Sequence, residues 1–135
     1  MTPHPHGQRR QRSPLAAFTL IEMLVVLAIV ALLLTIAVPR YFGSLQHSRD
    51  VALQENLKIL RVTIDKFHAD KGRYPGSLDE LVELKYLRAV PIDPITETRA
   101  SWVLVPAPEP DISGVVDVKS GATGATTDGR DYGSL

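Results

Sequence analysis

Residues Phe18–Val38 read FTLIEMLVVLAIVALLLTIAV, 21 positions that are apolar apart from two threonines and one acid, Glu22. As an α-helix at ~1.5 Å per residue, the stretch is about 30 Å long, the thickness of a bilayer's hydrocarbon core. A charge at the centre of such a helix costs about 3 kcal/mol, whereas each Leu, Ile or Val returns roughly 0.3–0.6 kcal/mol, so the segment inserts despite its carboxylate. Glu22 lies near one end, where the interface softens that cost. Two readings of it stand on composition alone: a tolerated acid in a signal anchor, or a group with a function, as intramembrane ionisable residues usually have.

The flank before this stretch contains Arg9, Arg10 and Arg12, and residues 1–17 hold no acid. The whole chain balances 15 basic against 15 acidic groups, so with those three arginines set aside residues 18–135 carry 12 basic and 15 acidic groups. That asymmetry predicts a cytoplasmic amino terminus and a carboxy-terminal part on the other side of the membrane. A cleaved secretory signal would have an apolar region of about 7–15 residues and then a small-x-small site. Here the run is longer and ends in Val38-Pro39-Arg40-Tyr41, which does not match. No basic patch points to nucleic acid. There are no cysteines, which rules out disulfides, Cys-based metal sites and a thiol nucleophile.

Beyond Pro39 the helical pattern resumes in a different form. Leu53, Leu57, Leu60, Ile64 and Phe67 step by threes and fours along one helix face. Asp50, Glu55, Lys58, Arg61, Asp65 and Lys66 are read as its charged, exposed surface. The pattern stops at Asp70-Lys71-Gly72, with Gly in the usual place past a helix end. The expectation is one nearly continuous helix from Phe18 to Asp70, kinked near Pro39: a membrane anchor that becomes an amphipathic spine. Ser77 and Glu80 form an S-x-x-E capping box that opens a short helix over roughly Leu78–Leu84. Tyr74-Pro75 and Asp93-Pro94 mark turns. Ser101–Pro106 and Gly114–Ser120 are strand candidates, the second with Val116 and Val118 inward and Asp117 and Lys119 outward. The fold expected is α+β: a long amino-terminal spine helix packed on a small antiparallel sheet, followed by a Gly/Thr/Asp-rich carboxy-terminal loop. Residues 1–17 are a basic leader, 18–39 the membrane and assembly helix, and 40–135 a head that includes the amphipathic half of the spine.

The junction Ala17-Phe18, followed by FTLIE and preceded by the basic leader, resembles the type IV pilin superfamily, which includes the pseudopilins of type II secretion. RYPGSLDELV and YLRAVPIDP resemble the segment after the spine in the major, G-type pseudopilin, and the likeness covers most of the chain from Phe18 onward. It implies a structural subunit that is the substrate of a prepilin peptidase, which cuts between Ala17 and Phe18 and N-methylates Phe18. Ala17 stands where the family usually has Gly. Glu22 stands where the family carries its glutamate, implying neutralisation of a neighbour's terminal amine during assembly. Pro39 stands where the family commonly kinks its helix. The implied setting is the bacterial inner membrane, single-pass, with a periplasmic head. The implied partners are further copies in a filament, minor pseudopilins, the inner-membrane assembly platform and, before assembly, lipid. The implied cofactor is calcium in the carboxy-terminal loop, with Asp128 and Asp131 supplying carboxylates and Thr123 standing where relatives often have another acid. From composition alone the loop reads equally as a frayed or hydrogen-bonded end.

No HExxH, P-loop, GxSxG or GxGxxG motif occurs, and His4, His6, His47 and His68 read as solvated, so nothing points to an enzyme. Two alternatives remain open. One is a surface type IV pilin, which often closes a carboxy-terminal loop with two cysteines. The other is a signal-anchored periplasmic enzyme or binding module.

Overall fold

The computed structural model describes residues 1–5, 7 and 19–135. The described residues form two compact units, Met1–Pro39 and Arg40–Leu135. One helix, α1 (Leu20–Lys71), contributes to both. Pro39 lies inside α1 without ending it, although its ring nitrogen has no hydrogen for the carbonyl one turn earlier.

In the first unit every residue of α1 is exposed, Leu20 through Val38 included. Among the described residues this is the one helix long and apolar enough to cross a membrane. Its start is set by Thr19, whose carbonyl and hydroxyl oxygens both accept from the Glu22 backbone N–H at 3.1 and 3.3 Å. Glu22 thus occupies the N3 position of a threonine cap, and its acid lies in the first turn, where the helix dipole favours negative charge.

In the second unit the expected stripe is the core. Leu53, Leu57, Leu60, Ile64 and Phe67 are at most 1 % exposed. They pack with Leu78, Leu81, Trp102, Val115, Val118 and Tyr132. Burying a side chain of this size contributes about 1.5–3 kcal/mol relative to leaving it in water, so this one face anchors the unit. α1 ends as expected: Gly72 adopts the left-handed conformation (φ 71°), and its N–H donates to the His68 carbonyl at 2.9 Å.

The short helix α2 (Leu78–Glu83) is capped by Ser77, whose hydroxyl accepts the Glu80 N–H at 3.2 Å. The return arm of the capping box is displaced by one residue. Glu80 Oε2 accepts from the Gly76 N–H at 2.7 Å, and Arg73 donates to Oε1 at 2.5 Å. That pairing, first from Arg73 and then from Gly76, holds the Glu80 carboxyl below its ordinary value. The Asp93-Pro94 turn is closed by Asp93 itself. It is fully buried and accepts from the Ile95 N–H at 2.8 Å and from the Ser120 hydroxyl at 2.5 Å.

The sheet has two antiparallel strands, β1 (Val103–Pro106) and β2 (Val115–Lys119), both shorter than the sequence implies. The inward-facing residues also differ from expectation. Val115 and Val118 are buried, while Val116 is half-exposed. The cause is a bulge: Val105 pairs with Asp117 and Pro106 with Val115, leaving Val116 unopposed. One extra residue resets the alternation on either side of it. Gly114, just before β2, has φ 105°, and a Cβ there would lie 2.8 Å from the Tyr74 carbonyl oxygen, so glycine lets the strand dock against the Tyr74-Pro75 turn.

Candidate functional site

The functional residues anticipated from sequence fall at two ends of the chain. Ala17 and Phe18 lie outside the described residues, as do Arg9, Arg10 and Arg12 of the leader. Glu22 is in the first turn of α1, with Ile21, Val25 and Val26 around it, all exposed. Among the described residues nothing covers this surface from Thr19 to Ser44. Removing so much apolar side chain from water requires lipid or other helices, since no part of the described chain does it.

The other end is the loop from Gly121 to Leu135. Its backbone makes a compact turn: the Thr126 N–H donates to the Arg130 carbonyl at 2.7 Å, the Gly129 N–H to the Thr126 carbonyl at 3.0 Å, and Ala125 bridges Asp131. Gly124 and Gly129 take the positive φ values (98° and 86°) that this reversal needs. A single 3₁₀ turn, Tyr132–Ser134, closes it, capped by Asp131, which accepts from the Gly133 N–H at 2.9 Å.

Asp128 and Asp131, the anticipated calcium ligands, each have partners within the loop. Asp128 accepts from the Thr126 hydroxyl and, at 3.0 Å, from Arg130. Those contacts, the Thr126 hydroxyl first, hold its carboxyl below the ordinary range. A guanidinium is thus seated on one of the two acids. Calcium takes 6–8 oxygens and usually several carboxylates. Among the described residues no group of three or more His, Asp or Glu side chains is placed to hold a metal ion. The side chains as arranged do not fit a calcium cage.

Two spine residues fix the loop to the rest of the unit: Arg61, which donates to the Leu135 carbonyl at 2.7 Å, and Asp50, an acid whose type suggests the exposed surface of the spine. The structure corrects that expectation: Asp50 is 2 % exposed. It sits three residues before Leu53 and seven before Leu57, on the core stripe itself, and that spacing is the signal in the sequence. Its Oδ1 accepts from the Tyr132 hydroxyl at 2.6 Å and from Gln46 at 3.3 Å, and its Oδ2 accepts from the Thr127 N–H at 2.8 Å. Gln46 also donates to the Tyr132 oxygen at 2.7 Å. Burial is the strongest single influence on this carboxyl and opposes its charge. The hydrogen bonds from Tyr132, Thr127 and Gln46 together outweigh burial and leave its pKa lowered. Burial and then Asp50 push the Tyr132 phenol upward. Arg61, also expected on the exposed surface, is half-buried. It donates to Asp117 at 2.8 Å and to the Val118 carbonyl at 2.9 Å, tying β2 to the spine. His47 and His68 are exposed, as expected. The first lies 3.4 Å from the Thr127 hydroxyl, and the second stacks on Tyr74 with ring centroids 4.1 Å apart.

The prokaryotic N-terminal methylation motif matches residues 15–38. A competence protein, ComGC of Halalkalibacterium halodurans, is 32 % identical over 72 residues, covering 53 % of this chain and 71 % of that protein. The type IV major pilin PilA of Myxococcus xanthus is 34 % identical over 64 residues, 47 % of this chain but only 29 % of the pilin. The type II secretion system core protein G of Pseudomonas aeruginosa is 28 % identical over 103 residues, covering 64 % of this chain and 70 % of its own length. No solved structure matches the chain at the same significance. A methylation motif over the apolar helix, one apolar span and relatives that are all pilin-like agree: the chain belongs to the type IV pilin superfamily, as a pilin-like subunit of the kind found in type IV pili, type II secretion and competence systems.

Proposed function

We propose that this chain is the major subunit of a type II secretion pseudopilus. The observation that carries the reading is the extent of the likeness to core protein G, 103 residues, which runs beyond the apolar helix into the head. The absence of cysteines favours it over a surface pilin. In this reading the protein waits in the inner membrane with its basic leader in the cytoplasm and its head in the periplasm. A prepilin peptidase cuts between Ala17 and Phe18 and methylates the new terminus. Phe18–Val38 then leaves lipid for a bundle of like helices, nucleated with minor subunits on an inner-membrane platform. The Phe18 amine of one subunit meets Glu22 of a neighbour. A buried ion pair adds little net stability, but a partner left alone in an apolar bundle costs about 3–5 kcal/mol, so the pair enforces register. Contacts of this heterologous kind do not close, and they grow a filament.

A competence filament is the second reading, favoured by 32 % identity covering 71 % of ComGC. Deleting the gene in its own host and scoring protein secretion, DNA uptake and surface fibres in parallel separates the readings. Loss of secretion with DNA uptake intact is expected. Loss of DNA uptake with secretion intact would transfer the chain to the competence class.

A further inference from the structure

The carboxy-terminal loop carries glycines at 121, 124, 129 and 133, which give its backbone little preference of its own beyond the turn it closes on itself. Calcium organises such a loop by presenting positive charge to carboxylate and carbonyl oxygens. Here the polarity is reversed. The loop's own acids are already engaged, Asp128 by Thr126 and Arg130 and Asp131 by the Gly133 N–H. Toward Asp50 it turns two donors, the Thr127 N–H and the Tyr132 hydroxyl, while farther along the spine its Leu135 carbonyl accepts from Arg61 at 2.7 Å. The two donors meet on a single carboxylate that is 2 % exposed, and each of its oxygens takes a bond of 2.8 Å or less.

We propose that Asp50 holds the carboxy-terminal loop in place of a metal, as an internal anion around which the loop's donors fold, and that the loop is therefore ordered independently of calcium. Three features support this. The anion sits on a helix whose neighbouring residues Leu53 and Leu57 are locked in the core, so its position is set before the loop arrives. Gln46, one turn earlier, donates to both the Asp50 carboxylate and the Tyr132 oxygen, closing a three-membered network. Arg130 pairs with Asp128 at 3.0 Å, so one of the loop's two acids already has a cation beside it. Docking exchanges the carboxylate's water for the Thr127 N–H and the Tyr132 hydroxyl, so a loop that covered Asp50 without presenting them would bury the charge unsatisfied. The inference does not depend on which filament the subunit builds.

The test uses the full chain solubilised in detergent, with hydrogen exchange followed over residues 124–135 and trypsin cleavage followed after Arg130. Both are measured in millimolar calcium and in EDTA. Wild-type protection is expected to be equal in the two. Tyr132→Phe keeps the buried ring and removes only the hydroxyl, and it should speed exchange of the loop about tenfold in both conditions. Asp50→Asn should do so by more. If Asp50→Asn fails to fold, the Tyr132→Phe comparison still decides. Wild-type protection that drops about tenfold in EDTA, or a loop indifferent to Tyr132→Phe, overturns the proposal.

Discussion

The two halves of α1 are built from similar aliphatic residues and treat them in opposite ways. From Leu20 to Pro39 the side chains point outward on every side and none is buried. From Arg40 to Lys71 the helix buries one face: the Leu53-to-Phe67 stripe is almost wholly shielded from water, while Tyr41, Phe42, Val51, Ile59 and Val62 stay exposed. The difference lies in how charge is interleaved. Between Glu22 and Arg40 the sequence contains no ionisable residue, so no face of the helix is marked for water. From Arg49 onward charges recur every few positions and, Asp50 apart, leave one stripe free. The first half is completed by something outside the chain, and the second by the chain itself.

The sharpest way to break that contrast is at Glu22. Glu22→Ala makes the first half more apolar, so membrane insertion should be unaffected while filament assembly is abolished. Normal filaments, seen by electron microscopy of membranes expressing the variant, would show that the first half assembles by greasiness alone. Mass spectrometry of the native subunit should find a chain starting at N-methylated Phe18; an intact leader would remove the amine on which the same pairing depends.

Next comes a paired truncation. Leu60→Ala deletes a fully buried side chain and should lower the head's stability by about 2–5 kcal/mol. Leu33→Ala, at a position 59 % exposed in the single chain, should leave it within about 0.5 kcal/mol of wild type. Trp102 is the sole tryptophan and is buried in the head, so its fluorescence during denaturation reports that unit alone. Equal effects at the two leucines would erase the distinction between the halves. A smaller change is expected from Ser77→Ala, about 1 kcal/mol for a lost helix cap, on the same fluorescence measurement.

The smallest effect concerns acid. The Asp50 carboxyl is held below its ordinary value, so its contribution is present above the unfolded-state value and is lost only as pH falls through the lower, folded one. Loop protection should therefore persist through the pH range where exposed carboxylates become protonated. Loss of protection nearer neutrality would mean that another group holds the loop.

Most of the fold could be read from local signals. The apolar run, the stripe, the Gly72 stop and the Ser77 cap each lie within a few residues of what they determine. Asp50 could not be recognised by its type, since an acid beside a charged helix surface looks solvated, although its spacing from Leu53 and Leu57 placed it on the stripe. Its reason for being buried, Tyr132, is 82 residues away. The bulge at Val116 was hidden for a similar reason: it depends on how β1 meets β2, and no pattern within β2 alone records it. The Asp128 and Asp131 pair was visible, but the side chains that engage Asp128, Thr126 and Arg130, look like ordinary loop residues until the turn is formed.

The separation between Asp50 and Tyr132 also orders events during synthesis. A chain made from its amino terminus presents Asp50 long before the last turn of the loop exists. Through that interval the carboxylate has none of its loop donors, and closing the core over that end of the stripe would bury it unsatisfied. The nearby turns of the spine are therefore expected to stay open to water until Thr127 and Tyr132 have been made. A chain truncated before Thr127 lacks both loop donors, so this end of the stripe should stay open in it.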